Sequence, residues 1–230
     1  MLDKPLTHRR ARLQAPAATV LATLPAIGSL MVTAKHLGVT HERIGKVETV
    51  TIEDGWVVIA GAEHESRIEL AAIAEIVVDR TSVMQDKAYP RLNLNRADGS
   101  YICGIVGFDG LEPFDAAIAA FGAGEALDEE PPATPGARGE VADDDAARRP
   151  FDGAIGDAAH VVVSFVRPGF SQTWRGVPEA VKPAMGFVNV MRADFHLHIK
   201  AGAIAGWIED AGAVYATSPD GERIGLSVRR

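Results

Sequence analysis

The most distinctive chemical feature of the sequence is a pair of histidines, His196 and His198, in the segment FHLHI at positions 195–199. The segment alternates with the period of a β-strand, so both imidazoles lie on one face and the apolar side chains on the other. Two imidazoles on a shared face can hold one metal ion or flank one ligand. Three interpretations stay open: solvated histidines, a large ligand on that face, or a metal site, for which the spacing indicates no third ligand.

The sequence repeats itself at a constant offset of 131 residues. When 28–79 is placed over 159–210 without gaps, 13 of the 52 pairs are identical, and the matches include glycines at turns and several apolar positions. An ungapped match of this length indicates an internal duplication.

The repeat gives the histidine pair a counterpart in the first half. Arg67 takes the place of His198, and Glu65 takes the place of His196. Each repeat therefore carries a side chain able to be cationic at the same position, which suits an anionic ligand. Ordinary polarity on the solvated side of a sheet explains the pattern equally well.

Two further histidines, His36 and His41, flank a turn at Gly38, and their counterparts are Arg167 and Gln172. Turn residues often line clefts, which makes His36, His41 and Gln172 candidates for ligand contact. Simple solvent exposure is the alternative for each histidine.

The elements that must position these residues are mostly strands. Segments rich in β-branched residues predict strands, Asp98-Gly99 and Asp220-Gly221 predict hairpin turns, and helices are expected after Pro16 and at 111–121. The sequence thus predicts an α+β fold, a tandem duplication of a predominantly antiparallel β-sheet unit with flanking helices, whose two sheets pack as one body.

An acidic, proline-rich stretch separates the repeats. Residues 122–152 contain four prolines and no aromatic residue before Phe151. Such a stretch buries too little apolar area to offset the entropy lost when it is ordered. We therefore expect a first repeat unit with an N-terminal helix at 1–122, a linker at 123–152 and a second repeat unit at 153–230.

Charge and cysteine content narrow the classes of partner. The net charge of −8 disfavours a nucleic-acid or anionic-membrane surface, which would need clustered cations. Cys103 is the only cysteine, which excludes an intrachain disulfide and fits a cytoplasmic protein. The apolar run at 15–24 is too short to span a bilayer, so stable membrane insertion is not expected, although the run has some features of a signal peptide.

The sequence contains no phosphate loop, dinucleotide fingerprint, nucleophile elbow or zinc helix. Catalysis is therefore left open, with no activity favoured.

The ordered motifs of the second repeat resemble a known family. They are Val166-Arg167-Pro168-Gly169-x-x-Gln172-x-x-x-Gly176, Gly186-Phe187-Val188-Asn189-Val190, Asp194-Phe195-His196-Leu197-His198-Ile199, Ile204-Ala205-x-Trp207 and Asp220-Gly221. This order is similar to the C-terminal half of the haemin-degrading and haemin-transport factors, which are cytoplasmic haem-utilisation proteins of Gram-negative bacteria. Residues 28–121 carry the same likeness more faintly.

The resemblance implies a tandem duplication that binds haem in a cleft. In the family, an axial histidine comes from a helical segment between the halves, and an arginine from the first half lies on the opposite face. Arg67 stands where that arginine would lie. Residues 122–152 contain no histidine, so the iron ligand is expected among His36, His41, His196 and His198.

The resemblance therefore implies haem binding or trafficking in haem-iron utilisation, with haem or a similar tetrapyrrole as ligand and haem degradation as an analogy. A homodimer is left open. Two alternatives stand beside this hypothesis. One is a degenerate scaffold that serves as an interaction or regulatory module without haem, and the other is a metal-dependent enzyme that uses His196 and His198.

Overall fold

A computed structural model describes residues 8–130 and 139–230. Their strands form two large antiparallel sheets, of ten and eight strands, and a small two-stranded ribbon. The α+β class and the two large antiparallel sheets predicted from the sequence are confirmed. None of the helices in the described parts of the chain is long and apolar enough to cross a bilayer.

The helices are short and lie at the edges of the repeats. They are α1 (Ala17–Leu21), α2 (Leu111–Ile118) and α3 (Arg149–Gly156), with 3₁₀ turns at Leu24–Ala26, Leu70–Ala72, Ala119–Phe121 and Ala146–Arg148. Pro16 directly precedes α1 and α2 continues into its 3₁₀ turn, so both helices expected in the first repeat are present.

The strands preceding α2 are β1 (Arg10–Arg12), β2 (Ser29–His36), β3 (Val39–Lys46), β4 (Thr49–Glu53), β5 (Trp56–Ala60), β6 (Glu65–Glu69), β7 (Glu75–Asp79), β8 (Val83–Met84), β9 (Lys87–Ala88), β10 (Arg91–Asn95) and β11 (Tyr101–Gly107). Those that follow α2 are β12 (Glu125–Ala126), β13 (Val161–Arg167), β14 (Phe170–Gly176), β15 (Val181–Ala184), β16 (Phe187–Arg192), β17 (Phe195–Lys200), β18 (Gly206–Asp210), β19 (Ala213–Thr217) and β20 (Arg223–Arg229).

The strand bounds show that the two copies of the repeat have the same order of strands. Strands β2 to β7 coincide with β13 to β18 at the offset of 131, to within one residue at their ends, and β10 and β11 coincide with β19 and β20 at an offset of 122. The hairpin turns predicted at Asp98-Gly99 and Asp220-Gly221 join the last two strands of each copy. Gly99 and Gly221 have φ of +78° and +83°, which glycine adopts without steric penalty.

The chain forms two compact units, and neither is continuous in sequence. Unit one consists of Met1–Thr33 and Gly45–Pro132, and unit two of Ala34–Ile44 and Ala133–Arg230. Most of strand β3 therefore belongs to unit two, although the repeat alignment places it in the first copy.

Unit one contains strands paired in the order β12-β1-β7-β10-β11-β2 and a meander of β4, β5 and β6. Strand β7 is apolar on both faces, and the residues at 76–78 are all buried. Helix α2 buries Phe114 and Ile118. Burial of every residue from 76 to 78 is typical of a strand that is covered on both sides.

Unit two contains strands paired in the order β18-β19-β20-β13-β14, together with β3-β17-β16-β15. Strands β13, β14 and β17 alternate buried and partly exposed residues, so each of these three presents one apolar face to the core. The Trp174 and Phe195 rings stack in that core with their centroids 4.5 Å apart.

Part of the stretch expected to be a linker is folded. Glu125–Ala126 pairs with β1, and Asp145 caps the turn that leads into α3. Helix α3 buries Phe151 and Ala154, and the apolar area that they bury offsets the entropy cost that composition alone made prohibitive. At the offset of 131, this helix occupies the place of α1. Residues 131–138 lie outside the described part of the chain.

Candidate functional site

The histidine pair lies on a sheet face where a third chemical group meets it. Strand β17 pairs antiparallel with β3, so Glu42 is the register partner of His196, and Thr40 is the partner of His198. Because side chains alternate along both strands, the three groups Glu42, His196 and His198 share one face. The shared face predicted for the two imidazoles is thus present in unit two.

One carboxylate oxygen of Glu42 lies between the two imidazoles. Its Oε2 atom is 3.4 Å from His196 Nδ1 and 3.6 Å from His198 Nε2. One ligand atom from each of the three residues lies within 4.8 Å of the others. The side chains of His196 and His198 are 26% and 28% exposed, whereas that of Glu42 is only 12% exposed. The cluster therefore opens to solvent on its imidazole side.

Glu42 is the anionic member of this cluster. Burial by itself would raise the pKa of the Glu42 carboxyl, but hydrogen bonds and favourable charge interactions with His196 and His198 outweigh it and lower the pKa to about 2. The carboxylate is therefore ionised across the neutral range.

Asn189 fixes the orientation of the His198 ring through a hydrogen bond with Nδ1. The Asn189 amide nitrogen donates to the carbonyls of Lys182 at 2.9 Å and Phe187 at 3.0 Å, so its Oδ1 atom is turned towards His198. His198 Nδ1 lies 2.6 Å from that oxygen and must be the donor. Nδ1 therefore carries a proton, and Nε2 is the nitrogen that faces Glu42.

His41 and Gln172 lie on the opposite face of the sheet, inside the core. Both are buried, at 0% and 1% exposure, and His41 Nδ1 donates to Gln172 Oε1 at 2.7 Å. The His41 ring stacks on Phe165 and meets the edge of Phe195. Two residues at equivalent positions of the repeat thus bond to each other, and neither lies beside the cluster.

His36 lies beside a shallow cleft of about 390 Å³. The residues that line it include Lys35, His36, Thr40, Phe187 and Lys200. Partial burial, with a contribution from the nearby Arg167, lowers the pKa of His36. Since Thr40 is the register partner of His198, this cationic cleft adjoins the cluster.

Arg67 lies in unit one on β6, the counterpart of β17. Its register partner is Val58, just as that of His198 is Asn189, so the two residues hold equivalent positions in the two copies. The Arg67 guanidinium lies 5.8 Å from the centre of the Trp56 ring. Its role in ligand binding stays a prediction.

Comparison with known proteins identifies the fold. No protein-family model and no curated protein matches the sequence. Among solved structures, ChuS, a haem oxygenase from E. coli, superimposes with a TM-score of 0.74 over 97% of this chain and 84% of its own, at 16% identity. Holo-PhuS, a haem-binding protein from Pseudomonas aeruginosa, superimposes with a TM-score of 0.73 over 96% of this chain and 81% of its own, at 15% identity. This chain has the fold of ChuS and PhuS.

The ChuS and PhuS fold agrees with the resemblance drawn from the second repeat. The apo form of PhuS gives the same result, with a TM-score of 0.71 and 16% identity over 96% of this chain and 81% of its own. The expected family likeness is thus confirmed in the fold, along nearly the whole chain, and extends into the first copy, where sequence showed it only faintly.

Sequence reasoning did not identify Glu42 as a member of the cluster or Asn189 as a partner of His198. Residues 40–43 of β3 are all polar, so the periodicity of the sequence does not separate the face that carries Glu42 from the face that carries His41. No local signal connects that strand with β17, because strand partners that are distant in sequence are not encoded locally. Asn189 belongs to a motif of the second repeat, and its bond to His198 is decided by the tertiary structure.

Proposed function

We propose that this protein binds haem and serves haem-iron utilisation in the bacterial cytoplasm. The observation that carries the proposal is the fold, which is shared along 96–97% of the chain with a haem oxygenase and a haem-binding protein. The accessible imidazoles of His196 and His198 support it, because imidazole is a common axial ligand of haem iron.

His196 is the better placed of the two histidines to ligate iron. Its Nδ1 atom faces the Glu42 carboxylate, which leaves Nε2 for the metal. A carboxylate that accepts the Nδ1 proton orients an imidazole ligand and raises its basicity. His198 has Nδ1 engaged by Asn189 and Nε2 directed at Glu42, so both of its nitrogens are committed.

The cleft next to the cluster suits the remainder of a haem molecule. Lys35 and Lys200 supply positive charge for propionate groups, and Phe187 supplies apolar surface for the macrocycle. His36 lines the same cleft and is proposed as a further contact. Arg67, His41 and Gln172 remain predicted contacts, the latter two from within the core.

The test is a hemin titration of the purified chain, followed by the Soret band. We expect a shifted band with one hemin per chain, and at least tenfold weaker binding with a changed band in His196→Ala. His198→Ala should weaken binding less. His160→Ala serves as the matched control because His160 is exposed and lies outside the cluster.

The variants also separate the alternatives. An unchanged band in both cluster variants would contradict the iron ligand proposed here while leaving haem binding intact, and single substitutions of His36 and His41 would then locate the ligand. A wild-type chain that does not bind hemin would favour an interaction module on the same scaffold. Light scattering with and without hemin tests whether the chain forms a homodimer.

A further inference from the structure

We propose that Glu42, His196 and His198 also form a binding site for a single divalent transition-metal ion. The site goes beyond haem binding, because here the protein itself supplies three ligands to a free ion. The two imidazoles come from β17 and the carboxylate from β3, within one unit.

The donor set fits this class of metal. Two imidazole nitrogens and one carboxylate oxygen are ligands that Zn²⁺ and Fe²⁺ accept together, whereas Ca²⁺ and Mg²⁺ prefer oxygen ligands alone. The carboxylate supplies the negative charge that offsets the charge of the ion.

The distances also fit. Two ligand atoms at about 2.0–2.1 Å from a tetrahedral Zn²⁺ ion are roughly 3.4 Å apart. The distances from Glu42 Oε2 to His196 Nδ1 and His198 Nε2 are 3.4 Å and 3.6 Å. The third pair lies within 4.8 Å, so a modest rotation of one imidazole completes the set.

A second, independent observation comes from Asn189. Because its amide is held by backbone carbonyls, His198 Nδ1 must donate to Asn189 Oδ1, which leaves Nε2 as the nitrogen that faces Glu42 Oε2. The contact with Asn189 is the kind of outer hydrogen bond that orients metal-bound histidines.

The exposed imidazole side leaves the remaining coordination position open to solvent. Three protein ligands with an open fourth position are typical of zinc sites that bind water or an exogenous ligand. The site therefore does not resemble a closed structural zinc site.

Haem iron on Nε2 of His196 and a free ion on Nδ1 of the same ring would compete, because a neutral imidazole has a lone pair on only one of its two nitrogens. If His196 ligates haem iron, bound Zn²⁺ will weaken hemin binding, and hemin will weaken Zn²⁺ binding by the same factor. The metal site is nevertheless tested without hemin, so failure of the haem proposal leaves it standing.

The test is isothermal titration of the chelator-treated full chain with Zn²⁺, alongside elemental analysis after dialysis. We expect one Zn²⁺ per chain, and at least tenfold weaker binding in Glu42→Gln and in His198→Asn. The matched controls, Glu53→Gln and His160→Asn, change the same residue types outside the cluster and should bind as the wild type does.

Co²⁺ gives a readout of geometry that does not depend on affinity. Intense visible absorption bands at one Co²⁺ per chain, lost in Glu42→Gln, would support a four-coordinate site. Circular dichroism establishes that each variant is folded. Asn189→Asp keeps an oxygen towards His198 and is therefore a milder variant. Absence of Zn²⁺ binding, or binding that Glu42→Gln and His198→Asn leave unchanged, would overturn the proposal.

Discussion

Single side chains give the two copies of the repeat different chemistry on equivalent backbone positions. His196 and His198 in unit two correspond to Glu65 and Arg67 in unit one, on strands with matching register. The imidazoles acquire their chemistry from Glu42, which the repeat alone would not supply, since its counterpart is Thr173. The cluster thus takes its carboxylate from the first copy of the repeat and its two imidazoles from the second.

The buried His41 should make stability depend on pH. Burial, reinforced by the charge of Arg43 and opposed by the hydrogen bond to Gln172 and the charge of Glu42, lowers the pKa of His41 from 6.5 to about 4. Between these values the unfolded chain binds more protons than the folded one, so stability is fully present above about pH 6.5 and falls as the pH drops towards 4. The loss approaches about 3 kcal/mol at the acid end of this window.

The measurement is urea unfolding at pH 7, 6 and 5, for the wild type and for His41→Gln. The variant places glutamine opposite Gln172, so it keeps a polar pair in the core but removes the titrating group. We expect the free energy of unfolding to decline more steeply with acid in the wild type. If the free energy of unfolding fell equally with pH in the wild type and in His41→Gln, His41 would not be the cause of the acid destabilisation.

At the level of the strands, β20 requires a glycine that no composition argument identifies. Gly225 has a φ of +85°, and a Cβ atom placed on it would lie 2.2 Å from the carbonyl oxygen of Val166 on the neighbouring strand β13. Gly221, in the preceding turn, has nearly the same φ of +83°, but open space around the position of its Cβ. A side chain at either glycine would strain the backbone, but only at Gly225 would it also overlap a neighbouring atom.

Alanine substitutions at these glycines should therefore differ in cost. Gly221→Ala should lower the free energy of unfolding only by the strain of the left-handed backbone, about 1–2 kcal/mol. Gly225→Ala adds a clash between Cβ and backbone, which raises the expected loss to roughly 3 kcal/mol or more. Chemical denaturation of both variants measures the difference, and equal losses would mean that β20 moves freely away from β13.

In the whole molecule, the boundary between compact units does not follow the boundary between repeats. Residues 34–44 belong to unit two although they precede most of unit one in sequence. They carry His41, which bonds to Gln172, and Glu42, which completes the cluster. Both the core and the candidate site of unit two depend on this segment.

A chain consisting of residues 133–230 alone should consequently fail to fold cooperatively. It lacks β3, which leaves β17 without that partner strand and removes His41 from between Phe165 and Phe195. We expect no sharp thermal transition and no Zn²⁺ binding, with recovery of both when residues 1–132 are added. A cooperative transition for the fragment by itself would contradict the assignment of 34–44 to unit two.

Sequence alone determined the duplication, the α+β class with antiparallel sheets, and the common face of His196 and His198. Strand alternation and turn glycines are local signals that can be read directly from the sequence, and so are identities at a fixed offset when the sequence is compared with itself. The likeness to haem-utilisation proteins also followed from the order of motifs, and the fold confirms it.

The tertiary structure decided which residues meet. It paired β3 with β17 and so brought Glu42 to the imidazoles, it buried His41 and Gln172 against each other, and it folded α3 within a stretch whose composition indicated a linker. The physical reason is that strand partners and buried contacts are selected by packing over long sequence separations. Local periodicity fixes the direction of a side chain, but not what lies opposite it.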